Sequence, residues 1–128
     1  MKIAFVFLAL LASAVIAAPS EPCKSDDPAS IQQCITADLA AKDKQLNTAY
    51  QKVLQGLTPQ IKDDPIDYAA VKRLLVEGQR AWVRFRDNDC NALAPLIASG
   101  TSRMVAVVEC KIQRTEQRTK ELKSWGEV

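Results

Sequence analysis

The chain has 128 residues, with 17 Lys and Arg against 15 Asp and Glu, and it contains no histidine. A formal charge of +2 lacks the broad basic field that nonspecific nucleic-acid binding requires, which argues against nucleic acid as a partner. The missing histidine removes the usual general base at neutral pH, the residue that activates Ser or Cys, and the commonest metal ligand. No metal or other cofactor is expected.

Residues 1–17 combine Lys2, an apolar run from Ile3 to Ile16 and an ending at Val15-Ile16-Ala17, which is the layout of a secretory signal peptide. The run is too short to stay comfortably in a bilayer as a permanent helix. Cys23 does not directly follow it, so the arrangement for N-terminal lipidation is lacking. The expectation is a mature chain beginning at Ala18, periplasmic or secreted, with no membrane anchor. Removing 17 of 128 residues leaves 111, a size that suits one domain over 18–128 with a modest core. The leader carries one basic and no acidic residue, so the mature charge is +1. Four cysteines in a small exported chain argue for two disulfides, and the lack of a C-x-x-C spacing argues against a redox dithiol or zinc knuckle.

The arm from Ala18 to Asp26 is rich in Pro and Ser and is tied down only through Cys23. From Pro28 to about Leu57, apolar residues at Ile31, Ile35, Leu39, Leu46, Tyr50, Val53 and Leu57 follow helical spacing. Gly56, Pro59 and Pro65 mark a turn. A second helix is expected from Pro65 to about Leu93, with Tyr68, Val71, Leu75, Gly78, Ala81, Trp82 and Phe85 as its inner stripe. Pro95 to Gly100 interrupts the pattern. A third helix runs from Thr101 or Ser102 to about Trp125, burying Met104, Val108, Ile112, Thr115, Leu122 and Trp125. No sustained period-two alternation signals a strand.

Short connections make consecutive helices antiparallel, so the expected fold is all-α, a disulfide-stabilised up-down-up three-helix bundle. Counted from the turns, Cys34, Cys90 and Cys110 gather near one end. Four cysteines allow three connectivities. The favoured one joins Cys90 to Cys110, clamping helices two and three, and Cys23 to Cys34, pinning the arm to helix one.

Paired carboxylates could in principle serve a hydrolase without histidine, as in glycosidases. The pairs here have simpler roles. Asp27-Pro28 and Asp64-Pro65 read as helix N-caps followed by proline at the first helical position, with Asp26 and Asp63 beside them. Asp87 and Asp89 sit among Arg84 and Arg86 on a polar helix face. No catalytic residue is assigned, and the chain is not expected to be an enzyme.

Helix one carries Asp43-Lys44-Gln45-Leu46-Asn47-Thr48-Ala49-Tyr50, and helix two carries Gln79-Arg80-Ala81-Trp82-Val83-Arg84-Phe85-Arg86-Asp87-Asn88-Asp89-Cys90. Cys110, Thr115, Arg118 and Leu122 follow in helix three. Together these resemble the small secreted bacterial proteins related to the N-terminal domain of the LprI-type lysozyme inhibitor. That family's pattern reads C…C…D-x-x-L-N-x-x-Y…Q-x-x-W-x-x-[FY]-R-D-x-x-C…C…T-x-x-R-x-x-x-L. The ordered set extends from Cys23 to Leu122. Two departures stand out: Ser99-Gly100-Thr101 replaces the Gly-Gly-Ser or Gly-Ser common after the second helix, and the lipid anchor of the type member is missing.

On one helix face Asp43, Asn47 and Tyr50 recur at i, i+4 and i+7; on the next, Gln79, Trp82 and Arg86 recur at i, i+3 and i+7. With Arg118 they are expected to form an interhelical polar network that fixes register, Asp43 pairing with Arg118 at matching height and Arg86 its main rival. Trp82 reads as core. The interleaved Trp82-Val83-Arg84-Phe85-Arg86 is not a nucleic-acid platform, because a helix sends those side chains to different faces.

The resemblance implies a protein that binds a host-type lysozyme and protects peptidoglycan by occlusion rather than catalysis. Lysozyme is basic, with two carboxylates in its cleft, so an inhibitor needs a rigid projecting element with a cationic or hydrogen-bonding tip and acidic residues around it. Two loops qualify by composition. One offers Lys62, Asp63 and Asp64; the other offers Ser99, Thr101, Ser102 and Arg103. The competing class is a periplasmic helical module with a different envelope partner.

Overall fold

The computed structural model describes residues 23–125, which form three helices: α1 (Pro28–Gly56), α2 (Tyr68–Asn91) and α3 (Thr101–Ser124). A 3₁₀ turn at Ala94–Leu96 lies between α2 and α3, and no strand occurs among the described residues. The expected leader and most of the arm lie outside the described residues.

Asp27 starts α1 by accepting from the Ser30 amide at 2.8 Å and the Ser30 hydroxyl at 2.7 Å, with Pro28 in the first turn where a missing N–H costs nothing. The Ser30 hydroxyl and then its amide hold the Asp27 carboxyl below the usual carboxylate range.

The second helix departs from the expectation. It begins at Tyr68, and its cap is Asp67, which accepts from the Ala70 amide at 2.9 Å. Asp64 does not cap it, because its carboxylate is engaged inside the preceding loop.

The helices run up, down and up, so α1 and α3 are parallel and α2 is antiparallel to both. Leu46 and Ala49 of α1, Leu75 of α2 and Leu122 of α3 form one buried cluster, with Tyr50, Val53, Leu54, Leu57 and Trp82 packed around it. The most extensive interface lies between α1 and α3, while α2 leans on α3 more sparsely.

The inner stripe of α2 is rotated from the expected one. Its buried residues are Leu75, Gln79, Arg86 and Cys90, whereas Gly78 and Ala81 are exposed and Phe85 is 51% exposed. The cause is polar. Arg86 occupies the core line because its guanidinium NH1 donates to Asp43 Oδ1 at 2.5 Å and to Thr115 Oγ1 at 2.8 Å, while its Nε donates to Asp87 Oδ1 at 3.1 Å. Its guanidinium carbon also lies 5.5 Å from the Trp82 ring centroid, a cation–π contact. Thr115 passes the bond on to the Lys111 carbonyl at 2.7 Å. On α3 the buried residues are Thr115, Thr119 and Leu122, and Trp125 is 45% exposed rather than buried.

Asp43 therefore pairs with Arg86, not with Arg118. Arg118 sits at the neighbouring rung, where its Nε donates to Gln79 Oε1 at 3.1 Å and its NH1 meets Glu121 at 3.0 Å. Tyr50 packs in the apolar cluster and Asn47 is exposed; among the described residues no hydrogen bond joins either to Arg86. Lys42 reaches Glu116 at 2.6 Å, and that bond raises the lysine pKa.

Cys23 bonds to Cys34 with Cα atoms 5.8 Å apart, and Cys90 bonds to Cys110 at 5.6 Å. No cysteine is free. Closing the 20-residue separation of the second bridge stabilises the fold by about 3 kcal/mol in the chain-entropy account. Reduction should therefore lower the melting temperature markedly. Thiol titration of the unreduced, denatured protein should find no reactive thiol; two or more would contradict the pairing.

Arg86→Ala should destabilise the bundle by about 3 kcal/mol, because it strips the partner from Asp43 and leaves a void among three helices. Asp43→Ala should cost less, since Asp87 and Thr115 still hold the guanidinium. A chemical-denaturation cycle should find Arg86 and Asp43 non-additive, and Asp43 and Arg118 additive within about 0.5 kcal/mol. Strong coupling between Asp43 and Arg118 would refute this register.

Candidate functional site

Up-down-up topology places the α1–α2 loop at one end of the bundle and the α2–α3 connection at the other. A 24-residue helix spans about 36 Å, so the two ends cannot enter one cleft together. Their side chains decide between them.

The α1–α2 loop is built around Asp64. Its carboxylate accepts from the Ile66 amide at 3.1 Å, the Tyr68 hydroxyl at 2.8 Å and the Gln60 amide at 3.3 Å, so that both ends of the loop are tied to one side chain. Gln60 Nε2 donates to the Thr58 carbonyl at 2.7 Å, bracing the first half of the loop. These bonds, the Ile66 amide foremost and the Tyr68 hydroxyl next, hold the Asp64 carboxyl below its ordinary range. The same bond to Asp64 raises the Tyr68 phenol.

At the tip, Asp63 has φ 62°, a left-handed conformation that costs a residue other than glycine free energy but that Asp tolerates better than most. This reverses the chain and displays Ile61, 69% exposed, beside Lys62, with Ile66, 52% exposed, on the return. Lys62 is exposed, and among the described residues its ammonium forms no ion pair. The result is one free cation bordered by apolar side chains, with Asp63, Asp64 and Asp67 around it.

The α2–α3 connection is different. Arg103 does not project: its Nε and NH2 donate to the Ile97 carbonyl at 3.1 and 2.9 Å, and the side chain is partly buried. Its guanidinium is spent on closing the turn that Gly100, at φ 108°, makes possible. Ser99 and Ser102 are exposed and Thr101 is half-buried. The most exposed large side chain there is Leu96, at 80%. This end is apolar and self-satisfied rather than cationic.

The remaining carboxylate pairs are occupied structurally. Asp87 meets Arg86 and, at 3.8 Å, Lys111, while Asp89 meets Arg114 at 2.6 Å. Among the described residues no group of His, Cys, Asp and Glu could hold a metal ion, and no helix is long and apolar enough to cross a membrane.

Sequence patterns could not distinguish the two loops, since Lys62 and Arg103 both read as cations in polar turns. Ile61 and Ile66 are isolated apolar residues in a polar loop, which helical periodicity does not pick out. The Tyr68 hydroxyl as a loop tie had no local signal.

Residues 21–122 match the family described as lysozyme inhibitor LprI. The chain belongs to that family. A relative in Rhizobium meliloti (strain 1021), an uncharacterized protein, is 31% identical over 93 residues, covering 70% of this chain and 67% of that protein. No solved structure matches significantly. The match takes in both disulfides, all of α1 and α2 and α3 as far as Leu122, and it assigns the chain to a family of inhibitors rather than enzymes.

Because folding lowers the Asp64 pKa, its bonds contribute in full above the unfolded carboxylate value of about 3.9 and are lost as pH falls through the lower folded value. Amide-exchange protection at Gln60 and Ile66 should therefore fall in acid below about pH 4. Asp64→Ala should reproduce that loss at pH 7 while the helical signal persists. Unchanged protection in the variant would show that something else orders the loop.

Proposed function

We propose that this LprI family member acts after export, as a single-domain mature protein from Ala18, by placing its α1–α2 loop in the substrate cleft of a lysozyme. Occlusion of the cleft protects peptidoglycan, and no bond in either protein is made or broken. The observation that carries this reading is the free Lys62 ammonium on a loop locked by Asp64. A lysozyme cleft holds two carboxylates that act on the glycosidic bond. An ammonium offers three N–H donors to such a pair, and Ile61 and Ile66 supply apolar contact beside it.

The surrounding charge suits the same target. Asp63, Asp64 and Asp67 make the loop end acidic around its one lysine, which attracts the basic face of a lysozyme and speeds encounter. Because the loop is already ordered, little conformational entropy is lost on docking. Arg103, bound to its own turn, has no comparable part to play.

Turbidity of a cell-wall suspension with lysozyme and purified protein tests the reading. The wild type should preserve turbidity, and without lysozyme it should cause no lysis. Lys62→Ala should weaken inhibition by about thirtyfold, the equivalent of 2 kcal/mol at a truncated interfacial ion pair. Stability should change by no more than about 0.5 kcal/mol. Arg103→Ala should leave inhibition intact. A well-folded wild type that protects against no lysozyme class would replace this reading with that of a helical envelope module serving another partner.

A further inference from the structure

A groove of about 250 Å³ opens between α2 and α3, lined by Trp82, Phe85, Arg114, Gln117, Arg118 and Glu121. We propose that it binds a single acidic sugar. The site lies some 20–25 Å along α2 from the α1–α2 loop, so the inference is independent of how lysozyme is engaged.

The chemistry of the lining falls into two parts. Trp82 and Phe85 give an aromatic wall, and Phe85 is 51% exposed because Arg86 has rotated α2 away from the apolar face its sequence suggests. An aromatic face is electron-rich and suits the polarised C–H groups on one side of a pyranose ring. The same groove is lined by two guanidiniums held in place by their own partners. Arg114 donates from NH2 to Asp89 at 2.6 Å and lies 5.5 Å from the Phe85 ring centroid. Arg118 commits Nε to Gln79 and NH1 to Glu121. A guanidinium has five N–H donors, so each retains several for a ligand.

An acidic sugar uses both parts at once. Its ring packs on the exposed part of Phe85 that Arg114 leaves open, its carboxylate takes the spare donors of Arg114 and Arg118, and its hydroxyls donate to the Glu121 carboxylate and pair with the Gln117 amide. The groove is smaller than the roughly 300–1,000 Å³ clefts that enclose drug-sized ligands, which fits one ring rather than a longer or bulkier molecule.

Trp125→Phe leaves Trp82 as the sole tryptophan, so its emission reports on the groove. Titration of that protein with N-acetylmuramic acid, which carries a carboxylate, should give a saturable change. N-acetylglucosamine, which lacks the carboxylate, should bind at least tenfold more weakly. Phe85→Ala and Arg114→Ala should each weaken binding of the acidic sugar about tenfold, with the helical circular dichroism retained. Lysozyme inhibition by Phe85→Ala should match wild type, so failure here leaves the loop reading standing. No saturable change with the acidic sugar, equal binding of the neutral one, or an affinity unmoved by Phe85→Ala would overturn the proposal.

Discussion

The buried guanidinium of Arg86 is the constraint on which the bundle depends. A charge this enclosed, 7% exposed, is costly unless its donors are met, and here each helix contributes an acceptor: Asp43 from α1, Asp87 from α2 and Thr115 from α3. An apolar core alone tolerates sliding by a turn or rotation by one residue, because Leu, Ile and Val are nearly interchangeable in contact. Three directional bonds to one planar group do not. They set the register at which Leu46, Leu75 and Leu122 meet, and that register in turn brings Cys90 within disulfide reach of Cys110.

The same constraint decides what the surface offers. Turning Arg86 and Gln79 inward leaves Phe85, Gly78 and Ala81 outside, and opens the α2–α3 groove. Fixing the helix axes also fixes the two ends of the bundle, and the chain treats them differently. At one end Arg103 is consumed in closing a turn on the Ile97 carbonyl. At the other an acidic side chain does the closing, so Asp64 holds the loop together and Lys62 is left free at its tip. Which loop can meet another protein's carboxylates follows from which charge was spent on folding.

Much of this was legible from residue order. Apolar periodicity located the three helices, the Asp27-Pro28 start is where the structure caps α1, and the favoured cysteine pairing is the one formed. The misreadings share a physical cause: periodicity weighs side chains by hydropathy and is blind to directional bonds. Phe85 outscores Arg86 on any such scale, yet the arginine is inside because three acceptors await it. Asp64 and Asp67 both precede helix-compatible residues, and the bonds that Asp64 accepts from Ile66, Tyr68 and Gln60 within the loop leave the capping to Asp67. Asp43 could reach Arg86 or Arg118 by height alone, and the choice depends on a rotation about α3 that spacing does not encode.

Amide hydrogen exchange of the protein with and without a lysozyme reads which end of the bundle docks, because it follows every non-proline backbone amide in one experiment. Docking through the α1–α2 loop gives new protection confined to residues 58–67 and the first turn of α2, with the amides of 94–103 exchanging as in the free protein. Protection centred on the α2–α3 connection, or spread along the outer face of α2 with the α1–α2 loop unchanged, would contradict it.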